Sequence, residues 1–331
     1  VLFRSWASIV PINNEGHTGG LEDQSDHLYI PSPISELNAS VEQINSRTSQ
    51  IIADKKKIEV LNAMTQRQLS TAAEIQDFFL TKNFPDLESY KVSALTQPAY
   101  DVGGDWYDAF AIDGHSFFVV ADVCDKGVGS ALFMSVFRTL IRYTTKVFYA
   151  RLEIGDTSQA LIDIIAGVNK YVSNNHGGCM YFATVFFTHI HEDTNELHYV
   201  SSGHESVLIK KFSGEHVLLN ATGPALGLFP TAKYTSGSCI FESGDTLLAY
   251  TDGVTDARNK NEESYGIERL RNIFDQIDCL SVEDMRDRLI LELTEFMDGA
   301  EQFDDITMMF LRRLPVHKNA SDPAVQPSSG G

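Results

Sequence analysis

The chain has 331 residues, of which 43% are hydrophobic, and its 26 Lys and Arg against 45 Asp and Glu give a formal net charge of −19. This length allows two domains, and the hydrophobic content suffices for a buried core. The charge argues against a nucleic-acid partner, which would require clusters of Lys and Arg, and no apolar run approaches the roughly 20 residues of a membrane-spanning helix.

The cysteines restrict the kind of site and the cellular compartment that are expected. Four are present, far apart and without a Cys-x-x-Cys pair: Cys124, Cys179, Cys239 and Cys279. This spacing argues against a zinc site and against a disulfide framework, and it favours a reducing compartment. We therefore expect a cytoplasmic protein. Because the sequence begins at Val1 and not at a methionine, it can also be the cytoplasmic part of a longer, membrane-anchored sensor.

The N-terminal quarter of the chain differs in character from the rest. Residues 1–33 show no hydrophobic periodicity and are predicted to be irregular or disordered. From Ile34 onwards, apolar residues alternate at spacings of three and four, as in a coiled-coil seam, with Thr48 filling one position: Ile34, Leu37, Val41, Ile44 and Ile51. Three lysines at 55–57 interrupt this seam, and a second helical run continues to Phe79. Residues 34–80 are thus predicted to form a helical linker of one or two helices, either packed on the domain or paired as a dimeric coiled coil.

Residues 81–314 alternate runs of strands with pairs of helices. Strands are predicted where β-branched and aromatic residues cluster, in part of 90–107 and at His115–Val123, Tyr181–Ile190, Glu196–Ser201, Ser206–Lys211, His216–Leu219, Thr246–Tyr250 and Ile306–Arg312. Helices are predicted at Gly129–Phe148, Thr157–Val172, Tyr265–Ile277 and Ser281–Met297. The segment Asn195–Lys211, interrupted by a glycine, is interpreted as a hairpin. This order indicates a layered α+β domain, and the Pro- and Ser-containing residues 315–331 are predicted to be a disordered tail.

Acidic residues stand at the ends of several short apolar runs. Asp105 follows two glycines, Asp122 ends a strand, Asp252 follows another strand, and Asp304 and Asp305 precede the last one. Strands would hold these carboxylates in place, while the glycines let the backbone approach a ligand. Mg²⁺ and Mn²⁺ prefer oxygen ligands and keep several waters, so a few carboxylates suffice for a site with one or two ions.

Several motifs occur in one order across roughly residues 72–313: Ala73-Glu-Ile-Gln, Pro98-Ala-Tyr-Asp-Val-Gly-Gly-Asp-Trp-Tyr-Asp, Asp122-Val-Cys-Asp-Lys-Gly-Val, Ser201-Ser-Gly-His, Gly223-Pro-Ala-Leu-Gly, Gly244-Asp-Thr-Leu-Leu-Ala-Tyr-Thr-Asp-Gly-Val-Thr-Asp-Ala-Arg-Asn and Asp304-Asp-Ile-Thr. Together they resemble the metal-dependent, PPM-type (phosphatase 2C-like) serine/threonine protein phosphatases, in their bacterial SpoIIE/RsbU branch. Each motif alone is weak, and their shared order makes the resemblance specific.

The resemblance implies a four-layer α/β/β/α sandwich and a site for two divalent cations, Mn²⁺ or Mg²⁺. It places Asp105 and Asp122 as ligands that bridge both ions, with the carbonyl oxygen of Val123 beside them. It makes Asp252 and Asp304 further ligands, and Asp305 is the alternative to Asp304. In this family such ions activate water for the hydrolysis of phosphoserine or phosphothreonine.

The same resemblance implies partners. The substrate would be a small phosphorylated regulator of the anti-sigma-factor antagonist type in a partner-switching pathway, and the helical linker would connect an upstream sensor and support a homodimer. The sequence also departs from the eukaryotic relatives, because Val123-Cys124 stand where those carry a histidine and no arginine lies near Asp105. Phosphate would then be held mainly by the ions, and the leaving-group acid is unassigned.

Other polar residues near these motifs have simpler interpretations. An aspartate beside a glycine is usually a turn residue, so Asp108, Asp125 and Asp256 are expected to support the site and not to bind metal, while Asp101 is a candidate satellite ligand. His204 is either a proton donor or a structural histidine, with the second favoured.

The sequence argues against three competing functions. A catalytically inactive, phosphatase-like interaction module would lack a ligand aspartate, and none is missing. A cyclic-dinucleotide cyclase would need Glu-Phe after Gly103-Gly104-Asp105, where Trp106-Tyr107 stand instead. An EF-hand beginning at Asp122 fails because Cys124 and Lys126 provide no oxygen ligands.

Overall fold

The structure is a computed structural model that describes residues 33–82, 84–85, 87, 89–150, 156–179, 181–191 and 194–315. The predicted irregular segment before residue 33 and the predicted tail after residue 315 lie outside these residues. The chain divides into two units, Val1–Asn62 and Ala63–Gly331. Among the helices that are described, none is both long enough and apolar enough to cross a lipid bilayer.

Helix α1 is a single uninterrupted helix of 47 residues, Pro33–Phe79. The three lysines at 55–57 do not break it, because lysine is a good helix former and its charge needs only solvent. No residue of α1 is buried. The predicted seam residues are between 48% and 71% exposed in the single chain: Ile34, Leu37, Val41, Ile44 and Ile51.

The other predicted strands and helices are all present and end within a few residues of their predicted bounds. The strands are β1 Tyr90–Gln97, β2 Trp106–Ile112, β3 His115–Val123, β4 Ala183–Ile190, β5 Glu196–Ser202, β6 Val207–Lys210, β7 His216–Leu219, β8 Gly237–Ile240, β9 Thr246–Tyr250 and β10 Ile306–Arg313. The helices are α2 Val128–Tyr149, α3 Thr157–His176, α4 Asp252–Thr255, α5 Gly266–Ile277 and α6 Val282–Met297. The sequence interpretation missed β2, β8 and the short α4.

Two five-stranded antiparallel sheets form the centre of the domain. The first has the order β1-β10-β9-β6-β7 and the second the order β2-β3-β4-β5-β8. Their facing sides share a core that includes Phe118, Phe186 and Met309. On the outer side of the second sheet, Phe117 packs with residues of α2 and α3, and on the outer side of the first, Phe310 packs with residues of α5 and α6. The predicted four-layer α/β/β/α sandwich is confirmed.

The predicted hairpin at Asn195–Lys211 is wrong. Strand β5 pairs with β4 and β8, whereas β6 pairs with β7 and β9 in the other sheet. The chain crosses between the sheets at Gly203, whose φ of +66° and whose hypothetical Cβ, 2.9 Å from the Ala225 nitrogen, both require glycine. Alternating hydrophobicity reports which face of a strand is buried, but it does not report the neighbouring strand.

His204 lies in this crossing and is 5% exposed. Its Nδ1 is 3.0 Å from the hydroxyl oxygen of Thr184. Burial lowers the pKa of His204 to about 4. These contacts fit the structural role that the sequence analysis favoured, in a crossover connection and not in a hairpin turn.

A row of histidines follows neighbouring strands of the second sheet. His189 on β4 is fully buried, and its Nε2 lies 2.9 Å from Nδ1 of His115 on β3. Burial, followed by repulsion from His115, His198 and His191, lowers the pKa of His189 to about 3. The ring packs 5.1 Å from that of Phe117, so the histidine is held neutral inside an aromatic layer.

We expect His189→Phe to weaken the acid sensitivity of the fold. The unfolded chain takes up a proton at His189 near pH 6.5, whereas the folded chain does not until about pH 3. This site therefore costs stability as the pH falls from 6.5, by up to about 2 kcal/mol at pH 5. Urea unfolding of both proteins at pH 6.5 and pH 5 measures the difference. An identical loss of unfolding free energy in the variant would contradict a buried neutral histidine.

Candidate metal centre

Asp105 stands in the loop between β1 and β2, directly after two glycines. Its side chain is 3% exposed, and one carboxylate oxygen accepts a hydrogen bond of 2.6 Å from the Thr251 hydroxyl. A Cβ on Gly104 would lie 2.6 Å from the carbonyl oxygen of Val123, so glycine is what allows this loop to approach the end of β3. The predicted carbonyl ligand Val123 is thereby brought beside the Asp105 loop.

The other three predicted ligands come from separate strand ends. Asp122 lies near the end of β3, Asp252 opens α4 directly after β9, and Asp304 precedes β10. Burial, together with the charges of Asp252 and Asp304, raises the pKa of Asp122 to about 7. The pKa of Asp252 rises to about 6, through burial and then the charge of Asp304. The structure thus brings Asp122, Asp252 and Asp304 close enough to repel one another.

Asp105 belongs to the same cluster. Burial raises its pKa well above the ordinary value, and the nearby charges of Asp122 and Asp305 raise it further. Repulsion among buried carboxylates is relieved either by protons or by cations. Because every side-chain donor in this set is an oxygen, the chemistry of the cluster fits Mg²⁺ or Mn²⁺.

The carboxylates interact electrostatically but do not converge on one point. Within the described part of the chain, no three His, Cys, Asp or Glu side chains stand close enough together to enclose an ion by themselves. This wider spacing of the carboxylates is still compatible with a metal site, since Mg²⁺ retains several waters and needs only one or two carboxylates in direct contact.

Asp305 and Asp304 differ sharply although they are adjacent. The carboxylate of Asp305 is 4% exposed and accepts hydrogen bonds from the backbone nitrogens of Ala99 at 2.7 Å and Gly104 at 2.8 Å. Asp305 therefore ties the glycine loop to β10. The side chain of Asp304 is 29% exposed, and its Oδ2 lies 3.0 Å from Nζ of Lys126. This geometry favours Asp304 over Asp305 as the ligand.

The acidic residues that were expected to be supporting have other partners. Asp108 is buried in an ion pair with Arg142 at 2.5 Å and with Arg138 at 3.3 Å. Asp125 has φ of +70° and accepts a hydrogen bond from the next backbone nitrogen. Asp101, the candidate satellite ligand, accepts a hydrogen bond of 2.7 Å from Gln66.

Two contributors were missed from the sequence. The side-chain amide of Gln76, near the end of α1, donates to the Gly103 carbonyl oxygen at 2.6 Å and accepts from the Gly103 nitrogen at 3.2 Å. The hydroxyl of Thr251 accepts from the Thr307 nitrogen at 3.0 Å while it donates to Asp105, so it links β9, β10 and the loop. Gln76 is the last residue of one of the sequence motifs, but its partner Gly103 lies 27 residues further along the chain, so no local pattern indicates the contact.

Comparison with known structures gives the class of this fold. The SiaA-PP2C domain of Pseudomonas aeruginosa superimposes with a TM-score of 0.64, at 18% identity, over 76% of this chain and 98% of that one. At this identity the match establishes the fold alone, which is that of a PP2C phosphatase domain.

Sequence comparison then gives the family. Residues 112–314 match the profile of Stage II sporulation protein E (SpoIIE), and the chain belongs to this family, within the SpoIIE/RsbU branch of the PPM-type phosphatases. It is 36% identical to Protein IcfG of Synechocystis sp. over 276 residues, 77% of this chain and 43% of that protein. It is 28% identical to Phosphoserine phosphatase RsbU of Bacillus subtilis over 250 residues, 74% and 70% of the two. The chain thus spans less than half the length of IcfG, and the resemblance noted from the motifs is confirmed.

Asp122→Asn is expected to stabilise the metal-free protein at neutral pH and above. Because the pKa of Asp122 is about 7 in the fold and about 3.9 in the unfolded chain, the folded state loses stability as the pH rises through this interval. The asparagine removes that loss, so thermal unfolding in EDTA should occur at a higher temperature for the variant at pH 8, with little difference near pH 4.

The same variant should gain less stability from Mn²⁺ than wild type does. Asp298→Asn, at a mostly exposed carboxylate, is the matched control and should change neither measurement. A metal-free Asp122→Asn protein that melts below wild type at pH 8 would contradict the repulsion.

Proposed function

We propose that this protein is a Mn²⁺- or Mg²⁺-dependent phosphoprotein phosphatase that hydrolyses phosphoserine or phosphothreonine. The observation that supports the proposal is the electrostatic interaction that links four aspartates from distant parts of the chain, Asp105, Asp122, Asp252 and Asp304. The printed name of a relative, Phosphoserine phosphatase RsbU, supports the same activity.

Hydrolysis of a phosphomonoester requires neutralisation of the phosphoryl oxygens and a nucleophile in line with the leaving group. Divalent cations, when bound, supply both by clamping the phosphate and lowering the pKa of a coordinated water. Asp105 and Asp122 would hold the ions between them, with the carbonyl oxygen of Val123. Asp252 and Asp304 would complete the set from the other sheet. Asp305 acts on the backbone and fixes the position of the Asp105 loop.

The proposed substrate is a small phosphorylated regulator of the anti-sigma-factor antagonist type. Similarity to RsbU of Bacillus subtilis over 70% of that protein supports a place in partner switching. Dephosphorylation of candidate antagonist proteins from the same genome, with and without Mn²⁺, tests this choice of substrate directly.

We expect Asp252→Asn to abolish metal-dependent hydrolysis of both p-nitrophenyl phosphate and a phosphoserine peptide. The loss should be at least about 100-fold, because even the residues that support metal ligands typically contribute about 10–100-fold. Circular dichroism establishes that the variant is folded, and Asp298→Asn serves as the control carboxylate. Wild-type turnover by Asp252→Asn at saturating Mn²⁺ would disprove its assignment, and an inactive wild type would disprove the activity.

We further propose that α1 is a dimerising linker to an upstream sensor. Its seam of apolar residues is uncovered in the single chain, and an exposed stripe of this length is typical of a partnered helix.

A fragment that begins at Leu69 should remain folded and become monomeric, as measured by light scattering. In the full chain, Ile44→Asp should weaken the dimer because it places a charge in the seam. Asn45→Asp adds the same charge one position away, off the seam, and should leave the dimer intact. A dimer that survives both the truncation and Ile44→Asp would refute the role of α1.

A further inference from the structure

Two cationic side chains adjoin the acidic cluster at Phe303. The ammonium of Lys126 lies 3.0 Å from Oδ2 of Asp304, donates a hydrogen bond to the Phe303 carbonyl oxygen and stands 4.7 Å from the centre of the Phe303 ring. The guanidinium of Arg258 lies over the same ring at 3.9 Å. Residues from three distant parts of the chain therefore form one group, which we call the Phe303 cation pair.

This pair is unusual in a chain with a net charge of −19. Arg138 and Arg142 are already paired with Asp108, and Lys126 is in direct contact with a proposed metal ligand. Because Asp304 is also close enough to Asp122 and Asp252 to raise their pKa values, the ammonium offsets part of the repulsion. A lysine in this position competes with a metal ion for the Asp304 carboxylate.

The geometry lets the side chain move while the backbone stays fixed. The loop before α2 has left-handed residues on both sides of Lys126, with φ of +70° at Asp125 and +81° at Gly127. The Lys126 nitrogen donates to the Asp125 carboxylate at 2.9 Å. Lysine carries its charge on a flexible four-carbon stem, and the aromatic face of Phe303 keeps a cation nearby without binding it tightly.

A divalent cation that binds the Asp304 carboxylate would displace the Lys126 ammonium from its ion pair. The ammonium would then be free to contact a phosphoryl group bound to the same cation. We propose that Lys126 is a phosphate-binding residue, which exchanges Asp304 for the phosphoryl oxygens of the substrate and is supported by Phe303 and Arg258. The inference rests on the proposed phosphatase function, and it supplies a phosphate-binding cation in a site without an arginine near Asp105.

Removal of Lys126 should not unfold the protein. Both partners of its ion pair are more than a quarter exposed, and ion pairs of this kind contribute little to stability. Variants at this position therefore report on the site and not on the fold.

The test uses Lys126→Met and two titrations by calorimetry. The metal-free variant should bind Mn²⁺ about fivefold more tightly than the metal-free wild type does, because the competing ammonium is gone. The Mn²⁺-loaded variant should bind inorganic phosphate about tenfold more weakly, because a charge-assisted contact is lost. A structural role would not move the two affinities in opposite directions. Lys126→Arg should restore phosphate binding.

Matched controls are available elsewhere in the chain. Lys260→Met removes an ion pair of the same 3.0 Å length with Asp298, and Arg269→Met removes a cation that lies 4.9 Å from the Phe296 ring. Neither should alter either affinity, whereas Arg258→Met should weaken phosphate binding in the Mn²⁺-loaded protein.

Unchanged phosphate binding by Lys126→Met would overturn the inference, whether or not the Mn²⁺ affinity rises. Hydrolysis of p-nitrophenyl phosphate by wild type is measured in parallel. An inactive wild type would refute the proposed function, whereas an active wild type with an unaffected Lys126→Met variant would refute the role of Lys126 alone.

Discussion

Like charges held together in a half-buried space are the constraint on which the site depends. Burial, and then the charges of neighbouring carboxylates, raise the pKa values of Asp122 and Asp252 to about 7 and about 6, so keeping these groups ionised in the fold costs free energy. Such an arrangement persists only where the surrounding structure fixes the backbone. The two sheets provide this, since Asp122 lies in β3, and Asp105, Asp252 and Asp304 lie within two residues of a strand end.

The loop that carries Asp105 needs additional support because it is not part of a strand. Asp305 supplies two acceptors for its backbone nitrogens, Gln76 pairs with both backbone groups of Gly103, and Thr251 holds the Asp105 carboxylate itself. A side chain at Gly103 would collide with the Asp305 carboxylate at 2.4 Å. The glycines, the Gln76 amide and Asp305 therefore act together to position the Asp105 carboxylate.

Much of the fold could be predicted from the sequence, for identifiable reasons. Most strands and helices are strongly periodic, so their positions were right, and the order of the motifs gave the layered architecture. The partner of β5 was wrong because side-chain alternation carries no information about which sheet a strand joins. Strand β2 was missed because its Gly-rich approach resembles a loop.

The candidate site was predictable in its aspartates but not in its supporting contacts. Lys126 meets Phe303 across 177 positions of sequence, and Asp305 meets Gly104 across 201. No local pattern indicates such pairs, because they arise only when two sheets are stacked. The distinction between Asp304 and Asp305 likewise depends on which of the two carboxylates accepts the hydrogen bonds of the loop backbone.

The place of β10 in the first sheet has a consequence for how the protein is made. This strand is the last one of the described chain, yet it lies between β1 and β9 and pairs with both. Until the ribosome has released it, β1 has no neighbour and the glycine loop has no Asp305 to hold it. Long-range pairing of this kind is slow and comes late in folding. A nascent or truncated chain that lacks its final strand would therefore carry an exposed half-sheet, and its candidate site would stay unassembled until the domain is complete.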